Sequence, residues 1–170
     1  MKRSLVAAFC VMVVLLAGLP GTTRADGWLV LGNTAWVSGD PTMILTNEYV
    51  LQPSVSVKVT QAGDLKWIAT NIPFTFPQAA GNTIDAIVIC YKTTSERTFI
   101  SQTRLAEYLG PSVAFVKHDD PTDHSSTTDE CYTSQVANYT PQGSVNLSLR
   151  LFFASTADTI TLGLLAVHFK

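Results

Sequence analysis

The sequence predicts an all-β fold, an antiparallel two-sheet β-sandwich of jelly-roll type with about eight to ten strands. Three observations lead there. Apolar and polar residues alternate with a period of two along most of the chain, as in Val55, Val57 and Val59 against Ser56 and Lys58. No stretch holds a helical period or a βαβ alternation. The strand-like runs are short and are separated by clusters of Gly, Pro, Asn, Asp and Ser.

The first 25 residues stand apart from this pattern. Lys2 and Arg3 precede an apolar run from Leu5 to Leu19, and Gly21, Thr22, Thr23, Arg24 and Ala25 follow. That charged, apolar, small-residue order is a secretory signal peptide, with cleavage expected after Ala25. The run is shorter than the roughly 20 residues a membrane-spanning helix requires, so no span is expected after cleavage. Cys10 lies inside the run, and no small-residue-Cys arrangement at its end marks a lipid attachment point. Residues 26–170 then read as one domain, secreted to the extracellular space or a periplasm.

Composition narrows the function classes. The chain has 170 residues, 46% hydrophobic and 14% charged, with a formal charge of -2. Loss of Lys2, Arg3 and Arg24 from 11 basic against 13 acidic side chains leaves the mature chain at about −5. A nucleic-acid partner is not expected of such a surface. Two of three cysteines remain, Cys90 and Cys131, and an even pair in an exported protein predicts a disulfide.

Along the mature chain, Trp28–Leu31, Ala35–Val37 and Met43–Leu51 are short extended pieces broken by Gly32-Asn33, Ser38–Pro41 and Pro53. Val55–Val59 and Leu65–Thr70, joined across Gln61-Ala62-Gly63-Asp64, read as a hairpin. Trp67 has the apolar neighbours of a packed residue. Residues 71–83 contain prolines and are long enough to cross between sheets. Ile84–Thr93 is apolar on both faces through its middle, as in the interior of a covered sheet. Thr98–Tyr108 alternates loosely, with Phe99, Ser101, Thr103 and Leu105 on one face, and its last residues from Arg104 are also compatible with a helical turn. Val113–Lys117 is a short strand running into a polar loop.

The last two strands are the clearest. Val145, Leu147, Leu149 and Leu151 alternate with Asn146, Ser148 and Arg150. In Thr159–Phe169 the alternation slips at Gly163-Leu164-Leu165, which implies either two buried faces or a β-bulge. If that strand lies at an edge or carries an uncovered face, it predicts homo-oligomeric assembly. The strand count exceeds seven and all three Trp precede both cysteines, which favours a jelly roll over an immunoglobulin-like sandwich.

One segment concentrates chemistry. Residues 118–130, HDDPTDHSSTTDE, hold five of the thirteen acidic side chains and two histidines. Asp119, Asp120 and Asp123 offer hard oxygen ligands, so Ca²⁺ is the candidate cofactor, although the spacing is not that of an EF-hand. His118, Asp119, Asp120, Asp123, His124 and the neighbouring Tyr132 are the candidate binding residues. His118 and His124 alone make a weak zinc pattern. His168, near the end of an apolar strand, reads as a boundary histidine. The Gly-x-Ser-x-Gly, His-Glu-x-x-His and phosphate-loop motifs are missing. The expectation is therefore a non-catalytic module that binds a carbohydrate or a cell-surface partner, or that self-assembles. The alternative is a secreted hydrolase or lyase in which two or three of His118, Asp119, Asp120, Asp123, Glu107 and Arg104 converge in a cleft. Asn138-Tyr139-Thr140 and Asn146-Leu147-Ser148 match the glycosylation sequon.

Overall fold

The structure is a computed structural model that describes residues 27–31, 36–48, 54–73 and 82–170. The signal peptide and the cleavage point at Ala25 lie outside the described residues, as does most of the 71–83 connection. Among the described residues all regular structure is strand. The strands are β1 (Gly27–Leu31), β2 (Met43–Glu48), β3 (Ser54–Val59), β4 (Leu65–Ile72) and β5 (Ile84–Thr93). They continue with β6 (Phe99–Gly110), β7 (Val113–Asp120), β8 (Glu130–Tyr139), β9 (Ser144–Phe152) and β10 (Ile160–Phe169).

Two antiparallel sheets result. One has the order β2-β3-β10-β5-β8, with β1 also paired to β10; the other has the order β4-β9-β6-β7. The pairs nest around one hairpin: β6 lies beside β7, β5 beside β8, β4 beside β9 and β3 beside β10. A long hairpin rolled up in this way is a jelly roll, with β1 and β2 as additions to its first sheet.

The alternating apolar residues explain the layers. Val55 and Val57 on β3, Ile87 and Ile89 on β5, Leu147, Leu149 and Leu151 on β9, and Ile160 and Leu162 on β10 are sealed between the sheets. Burial of each such side chain contributes about 1.5–3 kcal/mol. Strand β5 is interior, between β10 and β8. On β10 the register against β5 shifts between Leu162 and Leu165. Leu164 is thereby expelled to solvent while Leu165 and Val167 return to the core, so the bulge is the realised alternative.

The strand pairing decides four of the sequence readings. β3 and β4 do not form a hairpin, because β3 pairs with β2 and β10 while β4 pairs with β9 in the other sheet. The 60–64 turn crosses the sandwich, with Gly63 at φ 92 donating its N–H to the Phe153 carbonyl at 2.9 Å. β6 is extended throughout, and a register shift between Ile100 and Gln102 puts Thr103 and Leu105 inside and Gln102 and Arg104 outside. β10 is flanked by β3 and β1 on one side and β5 on the other, so it offers no free edge for assembly. β7 extends to Asp120, so His118, Asp119 and Asp120 belong to a strand and only residues 121–129 form the loop.

Cys90 and Cys131 are bonded, as expected, with Cα atoms 3.9 Å apart. They sit directly opposite each other on β5 and β8 and face outward, away from the core. The disulfide borders a hollow of about 420 Å³ with Lys92, Glu130 and Leu164 on its rim.

Candidate functional site

Strand geometry disperses the residues of the 118–130 segment. Successive side chains point to opposite faces, so Asp119 faces out while His118 and Asp120 face in. Asp119 pairs with Arg104: Nε and Nη2 of the guanidinium each lie 3.1 Å from a carboxylate oxygen. Hydrogen bonding from Arg104 holds the Asp119 carboxyl below the usual range. On the inner side, His118 Nε2 is 2.7 Å from Ser134 Oγ, which donates at 2.7 Å to Asp120 Oδ2. Burial pushes the His118 pKa down, against the opposing pull of Asp120 and Asp119.

This Ser-His-Asp trio does not have nucleophilic geometry. Ser134 lies between the other two, is bonded to both, and is fully buried on β8. A nucleophile requires the histidine in the middle and an exposed hydroxyl. Asp123 is exposed, and His124 stacks on Tyr132 with ring centroids 3.6 Å apart. Tyr132 is buried, and its hydroxyl lies 2.7 Å from Thr103 Oγ1, so it presents no ring face to a ligand. Of the six candidate binding residues, only Asp119 and Asp123 are well exposed.

The carboxylates as arranged do not fit Ca²⁺. Asp119 is engaged by Arg104 on one face, and Asp120 is engaged by Ser134 on the other. Among the described residues no group of three or more His, Cys, Asp or Glu side chains converges to hold a metal ion. Of the residues named for the enzyme alternative, Arg104 meets Asp119 on the outer face, and His118 and Asp120 meet through Ser134 on the inner one. Glu107, with 1% exposure, is turned inward on β6, where it accepts from the Gln142 and Gly143 N–H groups and pairs with Lys117. His168 behaves as expected of a boundary residue, with Nδ1 2.6 Å from Asp85.

The richest outward-facing constellation lies on the four-stranded sheet. Trp67 on β4 is opposite Arg150 on β9, which is opposite Gln102 on β6; one row further, Ser148 is opposite Arg104, which is opposite Asp119 on β7. Opposite residues share a face, so these side chains gather on one surface. The Arg104 and Arg150 guanidinium carbons lie 4.9 and 5.7 Å from the Trp67 ring centroid. Cation–π attraction draws them there. Gln102 donates to Asp119, and its Oε1 is buried without a partner. Beside this cluster Phe99 and Phe152 stack at 5.0 Å, and at the far end Tyr108 is exposed. From Phe152 to Ser144, opposite Tyr108, the face runs about 27 Å at about 3.4 Å per residue.

Trp67 is therefore not a core residue, contrary to expectation. Its neighbour Lys66 takes the inward position at 5% exposure, with Nζ 3.0 Å from Asp40 and 2.7 Å from Thr42 Oγ1. Hydrogen bonds from Thr42, together with Lys66, lower the Asp40 pKa to about 2. The period of two along 65–70 was the available signal for this site, since it separates Trp67 from Lys66. It does not say which of the two faces inward.

No family model and no curated protein matches the chain. Among solved structures, it is similar to the CBM36-1 domain of a multidomain xylanase from the hindgut metagenome of Trinervitermes trinervoides. The TM-score is 0.51 at 9% identity, covering 83% of this chain and 96% of that one. A structure described as "CBM4 structure and function" aligns with TM-score 0.49 at 12% identity, covering 85% and 88%. A carbohydrate-binding module CBM36 in complex with calcium and xylotriose aligns with TM-score 0.47 at 10% identity, covering 85% and 99%. At 9% identity the first of these likenesses is one of fold alone, and it agrees with the two-sheet sandwich described above.

Proposed function

We propose that this chain is an exported, non-catalytic carbohydrate-binding module whose ligand lies along the outer face of the four-stranded sheet. The observation that carries this reading is Trp67 turned outward amid polar side chains, on the same sheet face as the Phe99–Phe152 pair and Tyr108. Sugar rings have apolar faces that stack on aromatic rings and hydroxyl rims that hydrogen-bond to polar neighbours. This sheet face supplies both. Fold by itself does not define function, so the similarity to a domain named for carbohydrate binding adds support only as analogy. Export is supported by the Cys90–Cys131 disulfide, a bond typical of oxidising compartments. Neither Ca²⁺ nor self-assembly is needed for this reading.

Affinity electrophoresis in gels containing soluble xylan, mixed-linkage glucan, mannan or polygalacturonate tests it. Retardation by at least one polysaccharide, lost in Trp67→Ala with an unchanged melting temperature, is the expected result. Unretarded migration of the wild-type chain in every gel would sink the reading.

A further inference from the structure

We infer that the glycan bound by this face is anionic, carrying a carboxylate or a sulfate, and that the Arg150 guanidinium receives it. The inference rests on the carbohydrate reading above and specifies its ligand.

Along the strands of this face, among the described residues, the charged side chains are Arg104, Arg150 and Asp119. The surface is thus cationic by one charge on a chain whose formal charge is -2. The two arginines differ in what remains free. Arg104 spends its fork on both oxygens of Asp119. Arg150 donates through Nε to Ser101 Oγ at 3.0 Å, and its terminal nitrogens have no acceptor among the described residues. A planar guanidinium with two unused N–H-bearing corners matches the oxygens of a carboxylate or sulfate, and such charge-assisted pairs are stronger than neutral hydrogen bonds.

Position adds to chemistry. Arg150 is the direct cross-strand neighbour of Trp67, so a sugar stacked at the indole brings its exocyclic substituent beside the guanidinium. Nε is tied to Ser101 and the guanidinium is held near the ring, which reduces the freedom lost on binding. If Arg150 were only a prop for the indole, ligand charge would not matter.

The test compares ligands on the intact mature chain by calorimetry. The matched pairs are polygalacturonate against its methyl ester and dextran sulfate against dextran, with xylan as a neutral arm. Binding to polygalacturonate or dextran sulfate at least about tenfold tighter than to the uncharged counterpart, weakening as NaCl is raised, is expected. The preferred member identifies carboxylate or sulfate as the natural group. Arg150→Gln is expected to abolish the preference, and Arg150→Lys to keep part of it. The ester comparison needs no variant, so it stands even if a substitution disturbs folding. Equal binding of charged and neutral ligands, abolished by Trp67→Ala, would overturn the inference while leaving the carbohydrate reading intact. A charge preference that survives Arg150→Gln would overturn the assignment to this residue. Binding to none of the polysaccharides would overturn the carbohydrate reading itself.

Discussion

His118 Nε2 lies 2.7 Å from Ser134 Oγ, and the contact joins the two sheets. β7 is the last strand of one sheet and β8 the last of the other, so this bond and the Ser134–Asp120 bond close an open side of the sandwich. Because the hydroxyl donates to a carboxylate, it accepts from the imidazole, which assigns the proton to Nε2.

Ser134→Ala is expected to remove the shared partner of two half-buried groups, His118 Nε2 and Asp120 Oδ2, and to cost about 1–3 kcal/mol. Thermal melts at neutral pH measure this. An unchanged melting temperature would show that water replaces the hydroxyl without penalty.

Acidification is expected to destabilise the fold through the same region. Burial holds both His118 and His124 below the ordinary histidine value, against the attraction of nearby carboxylates. The unfolded chain therefore takes up these protons first. Stability is intact above about pH 6.5 and declines as pH falls below it. The same sense holds for Asp119 and Asp120, whose lowered values extend the loss to more acid conditions. His124→Phe keeps the ring stack on Tyr132, removes a buried nitrogen without a partner, and is expected to flatten the upper part of the melting-temperature profile. A variant profile parallel to wild type would exclude His124 as a contributor.

Gly143 is expected to tolerate no side chain. A Cβ there would collide with the Tyr108 carbonyl oxygen, and the Gly143 N–H donates to the buried Glu107 carboxylate at 2.7 Å. Gly143→Ala should cost at least about 1–3 kcal/mol through overpacking. Glu107→Ala should cost about 3 kcal/mol by leaving the Gln142 and Gly143 donors and Lys117 without their acceptor. Denaturant midpoints measure both.

The disulfide faces outward, with Cys131 exposed, so a mild reductant should reach it in the folded protein. It closes a loop of sequence separation 41, and its loss should cost about 4 kcal/mol in the chain-entropy model. Calorimetry with and without reductant should show a melting temperature lower by roughly 8–16 °C. Equal melting temperatures, with reduction verified by mass, would contradict a stabilising role.

Where one strand face is plainly apolar, the sequence identified the strand and its inward side. Val145 to Leu151 reads directly, because Asn146, Ser148 and Arg150 have no reason to face the core. β8 was not legible: its inward residues are Tyr132, Ser134 and Val136, and a buried serine breaks the apolar period because its partners come from β7. The spatial distribution of the acidic segment was not legible for a related reason. Adjacent carboxylates read as one group along the chain, and alternation sends Asp119 to Arg104 on one face and Asp120 to Ser134 on the other.

By itself the amino-acid order determined that strands form, where they turn, and that an even pair of cysteines would join. It could not rank Trp67 against Lys66 for the inward position, because that choice depends on Asp40 and Thr42, which lie 26 and 24 residues away and neutralise the buried ammonium. It could not bring Arg104 and Arg150 to one indole either, since β4, β9 and β6 become neighbours only when the chain rolls up. Local alternation is a property of adjacent residues, whereas the composition of a sheet face depends on which distant strands pair and in what register.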